Sequence, residues 1–168
     1  ALKYLFTEFT RQKLPSPVLN LDTDMSARLD VNFISLGGPF SNIKTNDANL
    51  NNGNKLVRFD QQRQQFVSTM SGKSVLRFEA GFNYGIIFKM HPSQFPDKTW
   101  FVCAGLNEWG TSGAAWYLAN KWREIRRSAK NKPFAWVVRV EEGKDESATP
   151  VFKAFSGEQV EKAIIEAA

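Results

Sequence analysis

The pattern of the stretch "FVCAGLNEWGTSGAAWYLANKW", residues 101–122, predicts a strand at its start and a helix at its end. The apolar run "WFVCAG" at its start shows no alternation of polar and apolar side chains, which predicts a central strand over residues 99–105 that is buried on both faces. The later part predicts an amphipathic helix over residues 112–128, because its apolar side chains recur at helical spacing. Those side chains are Ala115, Leu118, Ala119, Trp122 and Ile125. We expect Trp122 to be buried, and Arg123, Arg126 and Arg127 to be exposed.

Two further apolar runs predict strands of the same sheet. "VNFISLG" in residues 31–37 is followed by Gly38 and Pro39, and "FAWVVRV" covers residues 134–140. Because strands that feed helices in α/β domains run parallel, strands 31–37 and 99–105 should end at the same edge of the sheet. The Asn-rich stretch 41–54 fits either a helix that starts at Ser41 or a long loop, and the pattern leaves both open.

Four short β patterns between these strands predict an inserted β-hairpin. They are "KLVRFD" (55–60), "QQFVSTM" (64–70), "SVLRFEA" (74–80) and "NYGIIFKM" (83–90). The alternation within residues 74–80 is that of a half-buried strand. Gly81 and Asn83 suit a hairpin turn from that strand into the next one.

The two ends of the chain complete a prediction of one α/β domain over residues 1–168. Residues 1–30 hold a helix (2–12) and an extended connection, and residues 31–168 form the core. Residues 141–149 predict a solvated turn and residues 150–156 an edge strand. Ser156 should cap a terminal helix, with Gln159 completing the capping box. The predicted fold has three layers, a mixed sheet, the inserted hairpin and the C-terminal helix.

Composition excludes several classes of protein. No run approaches the ~18 consecutive apolar residues that a membrane helix needs, so no membrane association is predicted. The single cysteine among 168 residues cannot form an internal disulfide, which favours the cytoplasm. The net charge of +5 is concentrated in residues 121–133, where a solvated helix face with a cationic C-terminal turn explains it. Nucleic acid is therefore not a predicted partner.

The corners that follow strands 31–37 and 99–105 predict either a ligand site or two plain turns. Glycine lets a backbone approach a ligand closely, and a helix N-terminus presents unpaired N–H groups to an anion. Thr111 or Ser112 would cap the helix or offer a hydroxyl to a phosphate. Neither corner matches a nucleotide-binding motif, so a turn at Gly37-Gly38-Pro39 and close packing at Gly113 remain equal alternatives.

The segments "NFISLGGPFSN" (32–42) and "NYGIIFKMHPSQFPDKTWFVCAGLNEWGTSGAAWYL" (83–118) resemble an uncharacterised family of bacterial α/β domains. In that family a strand ends in GGPxxN, and a later strand leads through AGxxxxGTxxAA into a helix. The resemblance covers about residues 31–140 and implies a Rossmann-like sensory or ligand-binding module within a larger multidomain protein. It implies that one cleft is lined by Gly37, Gly38, Asn42, Gly105, Gly110 and Thr111, and Ser112 adjoins them.

Few side chains are candidates for catalysis. Glu108 in the second corner and Asp97 in the loop before it are candidates for a general base or a ribose contact, and a solvated acid is the alternative for each. His91, the only histidine, is a third candidate, although its place before a proline is typical of a loop residue. Cys103 lies in an apolar strand, where a thiol is inert packing. With one His and one Cys, the sequence predicts no metal site, and no cofactor is predicted.

These patterns favour a non-catalytic domain that senses or binds an anionic small molecule, such as a nucleotide, at the two corners. The alternative is a nucleotide-processing enzyme that uses Glu108 or Asp97. A module that only binds a protein partner is the third hypothesis.

Overall fold

A computed structural model of the chain describes residues 1–51, 53–60 and 62–166. The helices in these ranges are α1 (Leu2–Arg11), α2 (Ile43–Leu50), α3 (Glu108–Ala129) and α4 (Gly157–Glu166). The strands are β1 (Phe33–Leu36), β2 (Val57–Asp60), β3 (Gln65–Ser68), β4 (Asn83–Met90), β5 (Trp100–Gly105), β6 (Phe134–Glu141) and β7 (Lys144–Ala154). None of the described helices is long and apolar enough to cross a membrane.

Five strands form the main sheet in the order β1-β5-β4-β6-β7, and β2 pairs with β3 in a separate two-stranded sheet. β1 and β5 are parallel, whereas β4 is antiparallel to both β5 and β6, and β7 is antiparallel to β6. The α/β class and the mixed sheet are therefore confirmed. β5 lies between two strands, which confirms that it is not an edge, and the β2–β3 pair is an inserted hairpin. The Rossmann-like, three-layer description stays a prediction.

Both faces of the main sheet are covered, because neighbouring residues along each strand point to opposite sides. Ile86 of β4 packs in one apolar cluster with β2, β3, α2 and α4. The next residue, Ile87, packs in a second cluster with α1 and α3. Val102 and Cys103 of β5 divide between the two clusters in the same way. This arrangement explains why the sequence of β5 does not alternate.

The predicted strand over residues 74–80, and its hairpin with the strand after it, are wrong. β4 already pairs with β5 on one side and β6 on the other, so it offers no free edge to residues 74–80. Ser74 makes only an isolated bridge to Val67. Glu79 instead donates its backbone N–H to the Tyr84 hydroxyl and binds Arg139 through its carboxylate.

Helix α3 begins at Glu108 rather than at residue 112, because Asn107 is the N-cap and its Oδ1 accepts from the Gly110 N–H. The prediction that Thr111 or Ser112 caps this helix is therefore wrong. The backbone of Lys121 (φ −117°) interrupts the helix. Trp122 is half-buried rather than buried, since it faces α1 and donates to Glu8 Oε1 at 2.6 Å. Arg123, Arg126 and Arg127 are exposed, as predicted.

The structure decides between helix and loop for residues 41–54 and corrects the bounds of the predicted edge strand. Within residues 41–54, α2 forms behind Asn42, whose Oδ1 accepts from the Thr45 N–H at 3.0 Å. The predicted edge strand lies at the sheet edge but begins at Lys144, so the turn before it is shorter than predicted. Ser156 accepts from the Gln159 N–H at 3.3 Å, which confirms the predicted cap. The predicted capping box is wrong, because Gln159 Oε1 accepts from the Phe155 N–H at 2.7 Å rather than from the Ser156 N–H.

The buried thiol of Cys103 provides a chemical test of the fold. Burial raises the pKa of its thiol to about 12. We expect iodoacetamide to leave the native thiol unmodified at pH 8.5 and to modify it once urea unfolds the chain, because only a thiolate reacts.

The unfolded thiol of Cys103 ionises near its ordinary pKa of 9.0. The contribution of the buried thiol to stability is therefore complete below that pH and is lost as the pH rises from 9.0 toward 12. Urea unfolding should show this loss in the wild type and a shallower loss in Cys103→Ala. Rapid modification of the native protein by iodoacetamide would contradict the burial of Cys103.

Candidate functional site

The two glycine corners lie side by side, as expected from the prediction that the strands before them run parallel. The first corner is residues 37–42 and the second is residues 105–112. Leu36 pairs with Cys103, and the Gly37 N–H donates to the Cys103 carbonyl at 3.0 Å. A Cβ built on Gly38 would lie 3.6 Å from the Gly105 carbonyl oxygen, so the backbones of the two corners nearly touch.

A cleft of about 630 Å³ opens between the corners. Five of the seven predicted ligand-binding residues line it: Gly37, Gly38, Gly105, Thr111 and Ser112. Its volume falls within the ~300–1,000 Å³ typical of small-molecule sites. The structure thus brings the two corners to one concave surface.

Asn42, a sixth predicted residue, belongs to the support of the first corner rather than to the cleft lining. Its side chain caps α2 through Thr45, donates to the Leu36 carbonyl at 3.1 Å and accepts from the Ser35 hydroxyl at 2.8 Å. Thr45 in turn donates to the Gly37 carbonyl at 2.9 Å. These bonds fix the end of β1 and the path of the first corner.

Gly110, the seventh, is buried beneath the cleft in a contact of helix on sheet. A Cβ on Gly110 would overlap the Tyr84 carbonyl, and one on Gly85 would lie 2.8 Å from the Gly110 carbonyl carbon. A Cβ on Gly105 would lie 2.6 Å from the Asn107 carbonyl oxygen and closer still to the Thr111 nitrogen. These three glycines therefore let the first turn of α3 lie directly on β4 and β5. Gly37 is required for its conformation instead, since its φ is +114°.

The start of α3 offers donors from its backbone and acceptors from its side chains. Among the described residues, none accepts a hydrogen bond from the N–H of Glu108 or Trp109. The Thr111 hydroxyl donates to the Asn107 carbonyl at 3.2 Å, and the Ser112 hydroxyl donates to Asp145 at 2.6 Å. Because a hydroxyl has one proton, both side chains present only lone pairs to the cleft.

Asp145 fixes this direction of the Ser112 bond. Its Oδ2 also accepts from the Tyr4 hydroxyl at 2.7 Å. Burial and that hydrogen bond raise the pKa of Tyr4 to about 12. A carboxylate that is the acceptor for both hydroxyls leaves Ser112 unable to donate to a phosphate, which corrects the predicted role of this residue.

Aromatic side chains form a wall of the cleft that the sequence did not predict. Phe40, Phe59 and Trp109 line it, and the Phe40 and Phe59 rings meet edge to face with centroids 6.4 Å apart. Phe40 is 64% exposed, which is high for a large apolar ring. The available signal was its place inside the GGPFSN corner, two residues after Gly38. Phe59 comes from β2, and only the tertiary fold brings it here.

The three catalytic candidates are not brought together. Glu108 lines the cleft and is the only lining residue, among those described, with a charged side chain. Asp97 and His91 lie at the opposite end of the main sheet, where Met90 pairs with Trp100. The hydrogen bond from Lys98 lowers the pKa of Asp97, and the His91 Nδ1 lies 2.8 Å from the Lys98 carbonyl oxygen. Glu108 is thus the only one of the three at the cleft.

Across residues 1–51, 53–60 and 62–166, no group of three or more His, Cys, Asp or Glu side chains is arranged to hold a metal ion. Comparisons with protein-family models, with curated proteins and with solved structures found no match to this chain.

Proposed function

We propose that the chain is a non-catalytic domain that senses or binds an anionic small molecule, with a nucleotide as the ligand class. The observation that carries the proposal is the cleft of about 630 Å³ between the two glycine corners. We place the ligand there, against the start of α3. The Rossmann-like organisation, the cytoplasmic location and the role as a module of a larger protein are parts of the same proposal.

The donors, acceptors and aromatic rings of the cleft support a ligand with three different kinds of chemical group. The backbone N–H groups of Glu108 and Trp109, which have no acceptor among the residues that the structure describes, lie at the positive end of the helix dipole and suit a phosphate oxygen. The Glu108 carboxylate suits hydroxyl or amino donors, as does Ser112 Oγ, which already accepts from the Ala1 amino group at 3.4 Å. Phe40 and Trp109 supply ring surface on which a base can stack. A nucleoside phosphate has all three kinds of group.

The other side chains that line the cleft beside Glu108 favour a binding role over catalysis. Nucleotide hydrolysis relies on a positioned base and on cations that stabilise the transferring phosphoryl group. Among the described residues that line the cleft, no Lys or Arg side chain is present. The alternative enzyme would depend on Glu108 alone, since Asp97 lies at the other end of the sheet.

Calorimetry with ADP and inorganic phosphate tests the proposal. We expect ADP to bind the wild type and Gly38→Val to weaken it at least about tenfold, because a side chain at Gly38 fills the space between the corners. Gly38 has no left-handed φ, and its nearest Cβ contact would be 3.6 Å away, so the variant should fold. Circular dichroism checks this directly.

Phe40→Ala tests the ring contact against a matched control. Base stacking on an aromatic side chain contributes about 1–3 kcal/mol, so Phe40→Ala should weaken ADP binding about 5- to 150-fold. Leu50→Ala removes an equally exposed apolar side chain (65% against 64%) from outside the cleft and should leave binding unchanged. Equal affinities of both variants and the wild type would contradict the stacking site. Mass spectrometry of the incubated nucleotide should show it unchanged, and a product would favour the enzyme.

A further inference from the structure

A second concave site lies further along α3, beside the part of the helix that follows Leu118, and shares no lining residue with the cleft. We call it the α1–α3 groove: it is bounded by Leu5 and Phe9 of α1, Phe101 of β5, and Leu118, Trp122 and Arg126 of α3. Its volume is about 380 Å³, within the range of small-molecule sites. We propose that this groove binds an amphipathic monocarboxylate, with its apolar body between the helices and its carboxylate on Arg126.

The body of the groove is apolar because it opens between packed elements of the core. Leu5 and Leu118 belong to the apolar cluster on this face of the sheet, and Phe101 packs against that cluster. Trp122 is half-buried, so its ring is partly open to the groove. Binding of a hydrocarbon chain is favoured here because the chain displaces water from these apolar surfaces.

The Arg126 guanidinium places a positive charge at the rim of the groove. No hydrogen bond, ion pair or ring contact engages the Arg126 guanidinium among the residues that the structure describes. Its neighbour Arg123, in contrast, donates to Gln12 at 3.4 Å and lies 4.9 Å above the Trp122 ring. Arg127 donates to the Arg123 carbonyl at 3.4 Å. Arg126 is therefore free to bind a carboxylate in the bidentate geometry that guanidinium groups favour.

The one acidic residue at the groove does not compete for this charge. Glu8 forms an ion pair with Arg11 and accepts from Trp122 Nε1 at 2.6 Å and from Gln12 Nε2 at 2.8 Å. Its oxygens are thus occupied by donors from Arg11, Gln12 and Trp122. An apolar body closed by an unpaired guanidinium complements an apolar chain that ends in a carboxylate.

Decanoate and 1-decanol, which have the same chain length, separate the head group from the body. We expect decanoate to bind the intact chain at one site by calorimetry, and 1-decanol to bind at least tenfold more weakly. Arg126→Ala should weaken decanoate binding by the same factor. Arg127→Ala removes an arginine from the same exposed helix turn and is expected to leave binding unchanged. Because both arginines are exposed, both variants should fold.

The position at which decanoate binds is tested by an NMR titration that follows the indole N–H signal of Trp122. This signal is assigned by its loss in Trp122→Phe. Decanoate should shift this signal because the indole N–H is bonded to Glu8 at the groove. The proposal is overturned if decanoate shows no saturable binding, if 1-decanol binds as tightly, or if the Trp122 signal does not move. Equal losses in Arg126→Ala and Arg127→Ala would also overturn it, since the effect would then be one of overall charge.

Discussion

Replacing Gly105 with alanine is expected to lower the free energy of unfolding by at least about 3 kcal/mol. The added Cβ would lie 2.6 Å from the Asn107 carbonyl oxygen and closer to the Thr111 nitrogen, both of which are backbone atoms. Overpacking costs about 1–3 kcal/mol where side chains can move, and here the helix itself must shift. Urea denaturation followed by circular dichroism measures the loss, and a failure to fold is the extreme of the same result.

Gly38→Ala is the matched control for this prediction. Gly38 faces Gly105 across the two corners, but its Cβ would make only an ordinary contact of 3.6 Å. Replacing a glycine in a compatible conformation stabilises a protein by about 0.4–1 kcal/mol through the unfolded state. We expect Gly38→Ala to change stability by no more than that amount. Similar effects of the two substitutions would contradict the close packing of α3 on the sheet.

Trp136→Ala is expected to cost about 3–5 kcal/mol, the range observed for cavities left by large aromatic rings. Trp136 is fully buried in β6, and its ring packs with Tyr117 and Phe134 at centroid distances of 6.0 and 6.2 Å. Trp122→Ala should cost less, about 1–2 kcal/mol, because Trp122 is half-buried and water already contacts part of its ring. Urea midpoints at equal m-values give the comparison. A larger loss for Trp122 would mean that the α1–α3 contact is more important to stability than the burial suggests.

The elements that the sequence predicts well are those with a continuous or strictly periodic apolar pattern. The run at β5 is apolar throughout because both of its faces are covered, and that signal needs no tertiary information. The parallel relation of β1 and β5 followed from the same kind of run. The sequence pattern predicts the start of α3 too late, because Asn107, a strong capping residue, stands between Gly105 and Gly110, which are typical of a turn.

Residues 74–80 show why a local pattern can fail. Their alternation is that of a strand, but a strand also needs a free partner edge, and the edges of β4 are occupied by β5 and β6. Strand order is a property of the whole chain and cannot be read from a window of seven residues. The prediction that Trp122 is buried is wrong for a related reason, because the extent to which α1 covers α3 depends on how the two helices pack.

The candidate site was predictable in its position and not in its composition. Gly37, Gly38 and Gly105 follow strands that end at one edge, so their proximity follows from the parallel pair. Phe59 reaches the cleft from β2, which is remote in sequence. The acceptor character of Ser112 depends on Asp145, which lies 33 positions further along the chain. Such contacts set the chemistry of the cleft, and no local motif encodes them.

A titration of ¹⁵N-labelled protein with ADP, followed through the backbone N–H signals, tests whether the two glycine corners form one anion-binding cleft. We expect Glu108 and Trp109 to shift most, because the proposal places the phosphate on their backbone N–H groups, and Gly38 to shift with them across the cleft. Residues near His91, at the opposite end of the main sheet, should remain unchanged. Saturable shifts confined to another surface, or no shift at Glu108 and Trp109, would contradict the claim that the two glycine corners form one anion-binding cleft.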